Sequence, residues 1–181
     1  MPSNHESCII GITGHRALPH GCVPKLAEEI RAFYKDMMEK YSAITVLSPL
    51  AEGADMLAAK LALDMGLRLI VPLPMNTQNY REGFSEPAAV GEFDLLLSLA
   101  DRVFVVQPEE TVPPIPQPGF FYRQAGIYVA KNCDILLAVW NGVERETTDG
   151  AGTWETIKLA RTFGKETRIL APCPTTPPRP L

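Results

Sequence analysis

"GITGHRALP", Gly11–Pro19, decides how the rest of the chain is read. It follows the apolar residues Cys8-Ile9-Ile10 and precedes a long helical pattern at Val23–Tyr41, in which Leu26, Ile30, Phe33, Met37 and Tyr41 recur every three or four residues. A buried strand over Cys8–Ile12, a tight polar turn and a helix with one apolar stripe account for both periodicities. The turn is rich in polar groups for a plain connection. Gly14 permits close backbone approach, the loop amides can point at an anion, and Arg16 offers a planar fork suited to phosphate or carboxylate. The alternative is a simple turn, with His15 packed on the sheet edge and Arg16 in solvent.

The same unit repeats along the chain. Short apolar runs at Ile44–Leu47, Leu67–Leu73, Arg102–Val106, Ile135–Trp140 and Arg168–Ala171 predict strands, separated by helical patterns at Ala54–Met65, Glu92–Ala100, Tyr122–Asn132 and Thr153–Phe163. Such alternation implies an α/β fold: a doubly wound, mainly parallel sheet with helices on both faces, Rossmann-like. Right-handed crossovers then gather the strand-to-helix loops on one edge, where ligands bind. One domain over residues 1–171 is expected. Residues 172–181, "PCPTTPPRPL", read as a proline-rich tail or linker, and Gln107–Pro118 as an exposed excursion, either a lid or a plain connection.

Composition narrows the function. The chain has 181 residues, 46% hydrophobic and 21% charged, with a net charge of −4, so nothing in bulk attracts it to a phosphate backbone or an anionic membrane. Its apolar runs are far below the ~20 residues of a membrane span. The four cysteines, Cys8, Cys22, Cys133 and Cys173, show no metal-type spacing and are expected to be reduced thiols in a cytoplasmic protein. No metal and no cofactor are expected.

Two further loops resemble the first in chemistry. "SPLAEGADMLAAK" places Ser48, Glu52, Gly53 and Asp55 at the start of a helix, where the acids either cap the helix or hold ribose hydroxyls. "DGAGTWETIKLA" opens the backbone at Gly150 and Gly152, and Thr153 starts a helix whose first-turn amides can receive an anion. A glycine-rich turn with a capping threonine is the alternative. The first loop is not a Walker A motif, because Gly14 is followed by His15-Arg16, and the chain offers no Gly-x-Gly-x-x-Gly there.

With "GITGHR", "SPLAEGAD", "VPLPM" and "GAGTWE" in that order, residues 7–171 resemble the SLOG superfamily, Rossmann-like nucleotide-binding domains that include the Lonely Guy and DNA-processing protein A families. The resemblance implies phosphate near Gly150, Gly152 and Thr153, with Thr13, Gly14 and Arg16 opposite. It places Glu52 and Gly53 by the sugar or base and counts His15 with the first loop. Lonely Guy enzymes carry Pro-Gly-Gly-x-Gly-Thr-x-x-Glu, whose last Glu acts in cleaving an N-glycosidic bond. Here Thr156 occupies that position and Glu155 comes one residue early, about 100° away around the helix.

The expected function is therefore a sensor that binds a nucleotide or nucleotide-derived small molecule and reports to a partner or fused effector. The alternative is a nucleoside 5′-monophosphate phosphoribohydrolase using Glu52 or Glu155. A nucleic-acid partner is not expected, since 17 basic residues are scattered among 21 acidic ones. A membrane partner is not expected either. Related sensors are often dimers or larger, so a homo-oligomer is.

Overall fold

The computed structural model describes residues 6–147 and 150–173. Six strands, β1 (Ser7–Gly14), β2 (Ala43–Leu47), β3 (Arg68–Leu73), β4 (Arg102–Val105), β5 (Ile135–Val139) and β6 (Glu166–Leu170), form one sheet in the order β4-β3-β2-β1-β5-β6. Every pairing is parallel. The helices are α1 (Val23–Lys40), α2 (Ala54–Asp64), α3 (Thr77–Glu82), α4 (Pro87–Leu99), α5 (Pro118–Asn132) and α6 (Thr153–Thr162). This is the α/β arrangement that the alternation predicts.

Strand alternation explains the two layers of core. Cys8, Ile10 and Ile12 of β1 point to the face covered by α1, α2 and α4, where Ile30, Tyr34, Ala58 and Phe93 are buried. The opposite face takes α5 and α6 through Val129, Ala130, Ile157 and Ala160. Burying each large apolar side chain contributes about 1.5–3 kcal/mol before conformational entropy is counted. The chain steps outward from β1 to β4, then crosses back to β5 beside β1. Adjacent loops at this reversal diverge to opposite faces and leave a crevice at the carboxyl ends of the strands.

Several boundaries differ from the sequence reading. Strand β1 runs on to Gly14, so Thr13 and Gly14 belong to the strand and not to its loop. Helix α3 is invisible to periodicity because it is six residues long; the Asn76 side chain caps it by accepting the Asn79 N–H at 2.9 Å. Helix α5 starts at Pro118, where a missing N–H costs nothing in a first turn. Gln107–Gln117 is mostly exposed and is tied to α5 by a paired Glu110–Arg123 contact at 3.1 Å and by Lys131–Glu109 at 3.0 Å.

The cysteines correct an expectation. Cys22 and Cys173 are joined in a disulfide, their Cα atoms 5.3 Å apart across 151 residues of sequence. Both lie past the carboxyl ends of strands, after β1 and after β6, a proximity that only the sheet creates. Cys8 and Cys133 are free and buried, and burial pushes both thiols up to about 11. Neither is a poised nucleophile. Cys173 falls within the stretch read as a tail, whose residues 174–181 lie outside the described ones.

Candidate functional site

A cavity of about 550 Å³ opens at the crevice between the β1 and β5 loops. One wall comes from Arg16, Asp55 of α2, Tyr80 of α3 and Tyr122 of α5; the other from Asn141, Thr147, Gly152 and the start of α6. Thr13, Gly14 and His15 stand between them on the end of β1.

The first wall is braced from below. Gly53 has φ +83, and a Cβ there would run into the backbone carbonyl of Arg16, so only glycine lets the β2–α2 loop pass under the β1 loop. Ala54 N–H then donates to His15 O at 3.1 Å. Gly14 is equally confined, since a Cβ would overlap the Ala54 methyl. Leu50, fully buried, adopts φ +58, a conformation that costs a non-glycine residue of order 1–3 kcal/mol and is held only by its surroundings.

Arg16 is drawn toward this wall. Its Nη2 donates to Gly83 O at 3.3 Å and its guanidinium lies 5.7 Å from the Tyr122 ring centroid. Asp55 is only 5% exposed, and its Oδ2 accepts a long 3.4 Å bond from Ala51 N–H. Burial pushes this carboxyl from 3.8 up to about 7, opposed by the Ala51 bond and the Arg16 charge. Tyr80 is buried beside it, its hydroxyl driven well above the usual range by desolvation.

The second wall is open and built from loops. His15 Nε2 accepts the Asn141 N–H at 3.1 Å, linking the β1 and β5 loops across the crevice. Trp140 and Trp154 stack with centroids 5.1 Å apart and planes 8° from parallel, and both line the cavity. Gly152, not Thr153, is the N-cap of α6, with φ +135 and no protein atom close to where a Cβ would stand apart from Thr147 at 3.8 Å. The first-turn amides of α6 have no intrahelical acceptors. They open on the same cavity through Thr153 and Trp154.

The predicted residues therefore divide. Thr13, Gly14, His15, Arg16, Gly152 and Thr153 line the cavity; Glu52, Gly53, Gly150 and Glu155 do not. Glu52 Oε1 accepts both the N–H and the hydroxyl of Ser85 at 2.8 Å, pinning the segment after α3. Gly150, at φ +65, packs on Arg123, whose Nη1 donates to its carbonyl at 3.5 Å. Glu155 pairs with Lys158 at 2.9 Å. On the wall stands Thr156, its Oγ1 donating to Gly152 O at 3.0 Å, where Lonely Guy sequences would have their glutamate. Tyr80, Tyr122 and the tryptophan pair escaped sequence reasoning. Tyr80 sits on the unread α3, and Tyr122 looked like an ordinary first helical residue.

No protein-family model matches the sequence, and no curated protein matches it. Solved structures do. DNA processing protein A from Streptococcus pneumoniae superposes with a TM-score of 0.62 at 18% identity, over 95% of this chain and 52% of that one. DNA processing protein A from Helicobacter pylori, described for its single-stranded DNA binding mode, gives 0.56 at 15% identity, over 90% and 64%. The structural-genomics target TM1055 gives 0.51 at 13% identity, over 88% and 72%. This chain thus spans about half of the first and under two thirds of the second.

The second likeness overturns the exclusion of nucleic acid. A protein with this fold binds single-stranded DNA. A net charge of −4 was the wrong criterion, because phosphate contacts depend on the local arrangement of donors and not on the sum over the chain. No helix of the described residues is long and apolar enough to cross a membrane. In fold, the chain is a Rossmann-like α/β domain, similar to DNA processing protein A and TM1055.

Proposed function

We propose that the cavity between the β1 and β5 loops binds a nucleotide or nucleotide derivative, and that the domain acts as a sensor whose occupancy is reported to a partner or to another part of a larger protein. The observation that carries the reading is one cavity that combines ring surface, Tyr122 on one side and the Trp140–Trp154 stack on the other, with the amide-bearing start of α6. A nucleotide has the matching polarity: a flat base and a phosphate. The phosphate lies at Gly152 and Thr153, near Thr13 and Gly14, and the base lies toward Tyr80 and Tyr122. Glu52, Gly53 and Gly150 support the loops from behind. Isothermal titration with mono-, di- and cyclic nucleotides and ADP-ribose-like compounds tests this; no binding across the panel overturns it.

Single-stranded DNA is the second reading, favoured by the fold shared with the Helicobacter pylori protein. Salt-sensitive retention of an oligonucleotide, with weak binding of mononucleotides, would rank it first. In the phosphoribohydrolase alternative, Glu52 and Glu155 are engaged with Ser85 and Lys158, and the carboxyl lining the cavity is Asp55. Release of free base during the same titrations would establish that activity.

A further inference from the structure

An acceptor and a donor with spare capacity line the same cavity, Asp55 buried and Arg16 exposed. Asp55 lines the cavity, and its one described side-chain hydrogen bond is the long contact from Ala51 N–H to Oδ2. Among the described residues no sealed side-chain oxygen or nitrogen lacks a partner, so the rest of this carboxyl's accepting capacity faces the cavity. Arg16 uses Nη2 on Gly83 O, and the remainder of its fork makes no other described hydrogen bond. Ala54 N–H donates to His15 O at 3.1 Å, so Asp55 and Arg16 each follow directly on one end of that bond between adjoining loops, and they form no ion pair with each other. Tyr122, partly exposed, presents ring surface beside them, and Tyr80, 1% exposed, packs behind it with ring centroids 6.0 Å apart.

We propose that Asp55 and Arg16 read the edge of a purine that presents two adjacent N–H donors beside a carbonyl, which is guanine; this rests on the nucleotide reading of the cavity. Above pH 7, where Asp55 is ionised, its carboxylate only accepts, and a guanidinium only donates. Guanine meets that pair with its N1–H and amino group toward Asp55 and its O6 toward Arg16. Adenine would set its N1 lone pair against the carboxylate and leave a buried acceptor unpaired, a mismatch that costs far more than a lost methylene. Hypoxanthine keeps the N1–H and O6 but loses the amino group, so it falls between.

Titration of the full chain at pH 8, where Asp55 is ionised, with 5′-GMP, IMP, AMP and 2′-deoxy-GMP tests the assignment. Wild type is expected to bind GMP at least tenfold more tightly than AMP, IMP at an intermediate level, and 2′-deoxy-GMP as tightly as GMP. Asp55→Asn, checked for folding by circular dichroism, narrows or inverts the GMP-to-AMP ratio, because an amide can also donate. Equal affinity of wild type for GMP and AMP overturns the proposal without touching the nucleotide site. So does a tenfold loss on removing the 2′-hydroxyl with no response to the base, which would give Asp55 to the ribose. Binding of none of the four, nor of any nucleotide in the wider panel, removes the underlying site as well. The wild-type series decides the matter even if the variant fails to fold.

Discussion

The wall that α2, α3 and α5 raise over one side of the cavity is largely buried and cross-braced, whereas Asn141–Thr147 on the opposite wall is an exposed and mostly polar stretch. On the first, Gly53 is locked beneath the Arg16 carbonyl, Glu52 holds Ser85, and Tyr80 contacts Phe84, Phe93 and Tyr122 at centroid distances of 5.2, 5.4 and 6.0 Å. On the second, Asn141–Thr147 is held by Asn141 N–H to His15 Nε2 at 3.1 Å, by Lys158 to Glu146 at 3.1 Å, and by local bonds such as Trp140 Nε1–H to Val143 O at 3.1 Å and Thr147 Oγ1–H to Ala151 O at 2.5 Å. A packed wall can discriminate, since its groups cannot move to forgive a mismatch. An open wall of backbone amides can grip an anion without reading what carries it.

Glycine substitutions break the comparison most sharply. Gly53→Val is expected to cost on the order of 4 kcal/mol, or roughly 10 °C in Tm, because the branched side chain meets backbone carbonyls that cannot retreat. A thermal melt within about 2 °C of wild type would show that the first wall is as pliable as the second.

Asp55 gives the next effect, through pH. Its folded value of about 7 lies above the ordinary 3.8, so between those values the native chain keeps a proton that the unfolded chain has released. Stability therefore falls as pH rises through that window. Asp55→Asn lacks this slope and should be the more stable protein at pH 8 by roughly 2–4 kcal/mol, with the advantage shrinking toward pH 4. Urea denaturation of both proteins at pH 5 and pH 8 measures it. A pH-independent difference would mean that the carboxyl is hydrated and that this wall is not closed.

Gly152→Val probes the open wall. Space is available for the side chain, so the fold should lose only about 1–2 kcal/mol from the φ of +135, while nucleotide affinity drops more than tenfold as the chain shifts the first-turn amides. Unchanged affinity in the folded variant would take this loop out of the site. The smallest response is expected from Glu155→Gln, which removes the pair with Lys158, a lysine that also reaches Glu146 at 3.1 Å, and a longer-range attraction to Arg123. A change within about 0.5 kcal/mol and unaltered ligand binding are expected. Loss of binding or of base release in this variant would bring Glu155 back as a functional carboxylate.

The strand-and-helix order was legible because buried parallel strands and amphipathic helices write their periods directly into the chain, as Cys8–Ile12 and Leu26–Tyr41 do. The loops of interest were legible for a related reason: glycines at Gly14 and Gly152 sit where strands end and helices begin. What each loop residue does was not legible. Glu52 and Asp55 are three residues apart at the head of α2, and one faces Ser85 while the other faces the cavity.

Sequence by itself determined the α/β class, the edge of the sheet where loops gather, and the glycine-bearing starts of α2 and α6, all of which follow from local spacing and backbone freedom. Tertiary structure alone decided that Arg16 turns toward Gly83 and Tyr122, that Cys22 meets Cys173, and that Asp55 is taken out of water beside Tyr80. Those outcomes depend on residues 67, 106, 151 and 25 positions apart, brought together by the strand order. Burial and pairing are properties of neighbours in space, and a parallel sheet chooses its neighbours from distant parts of the chain.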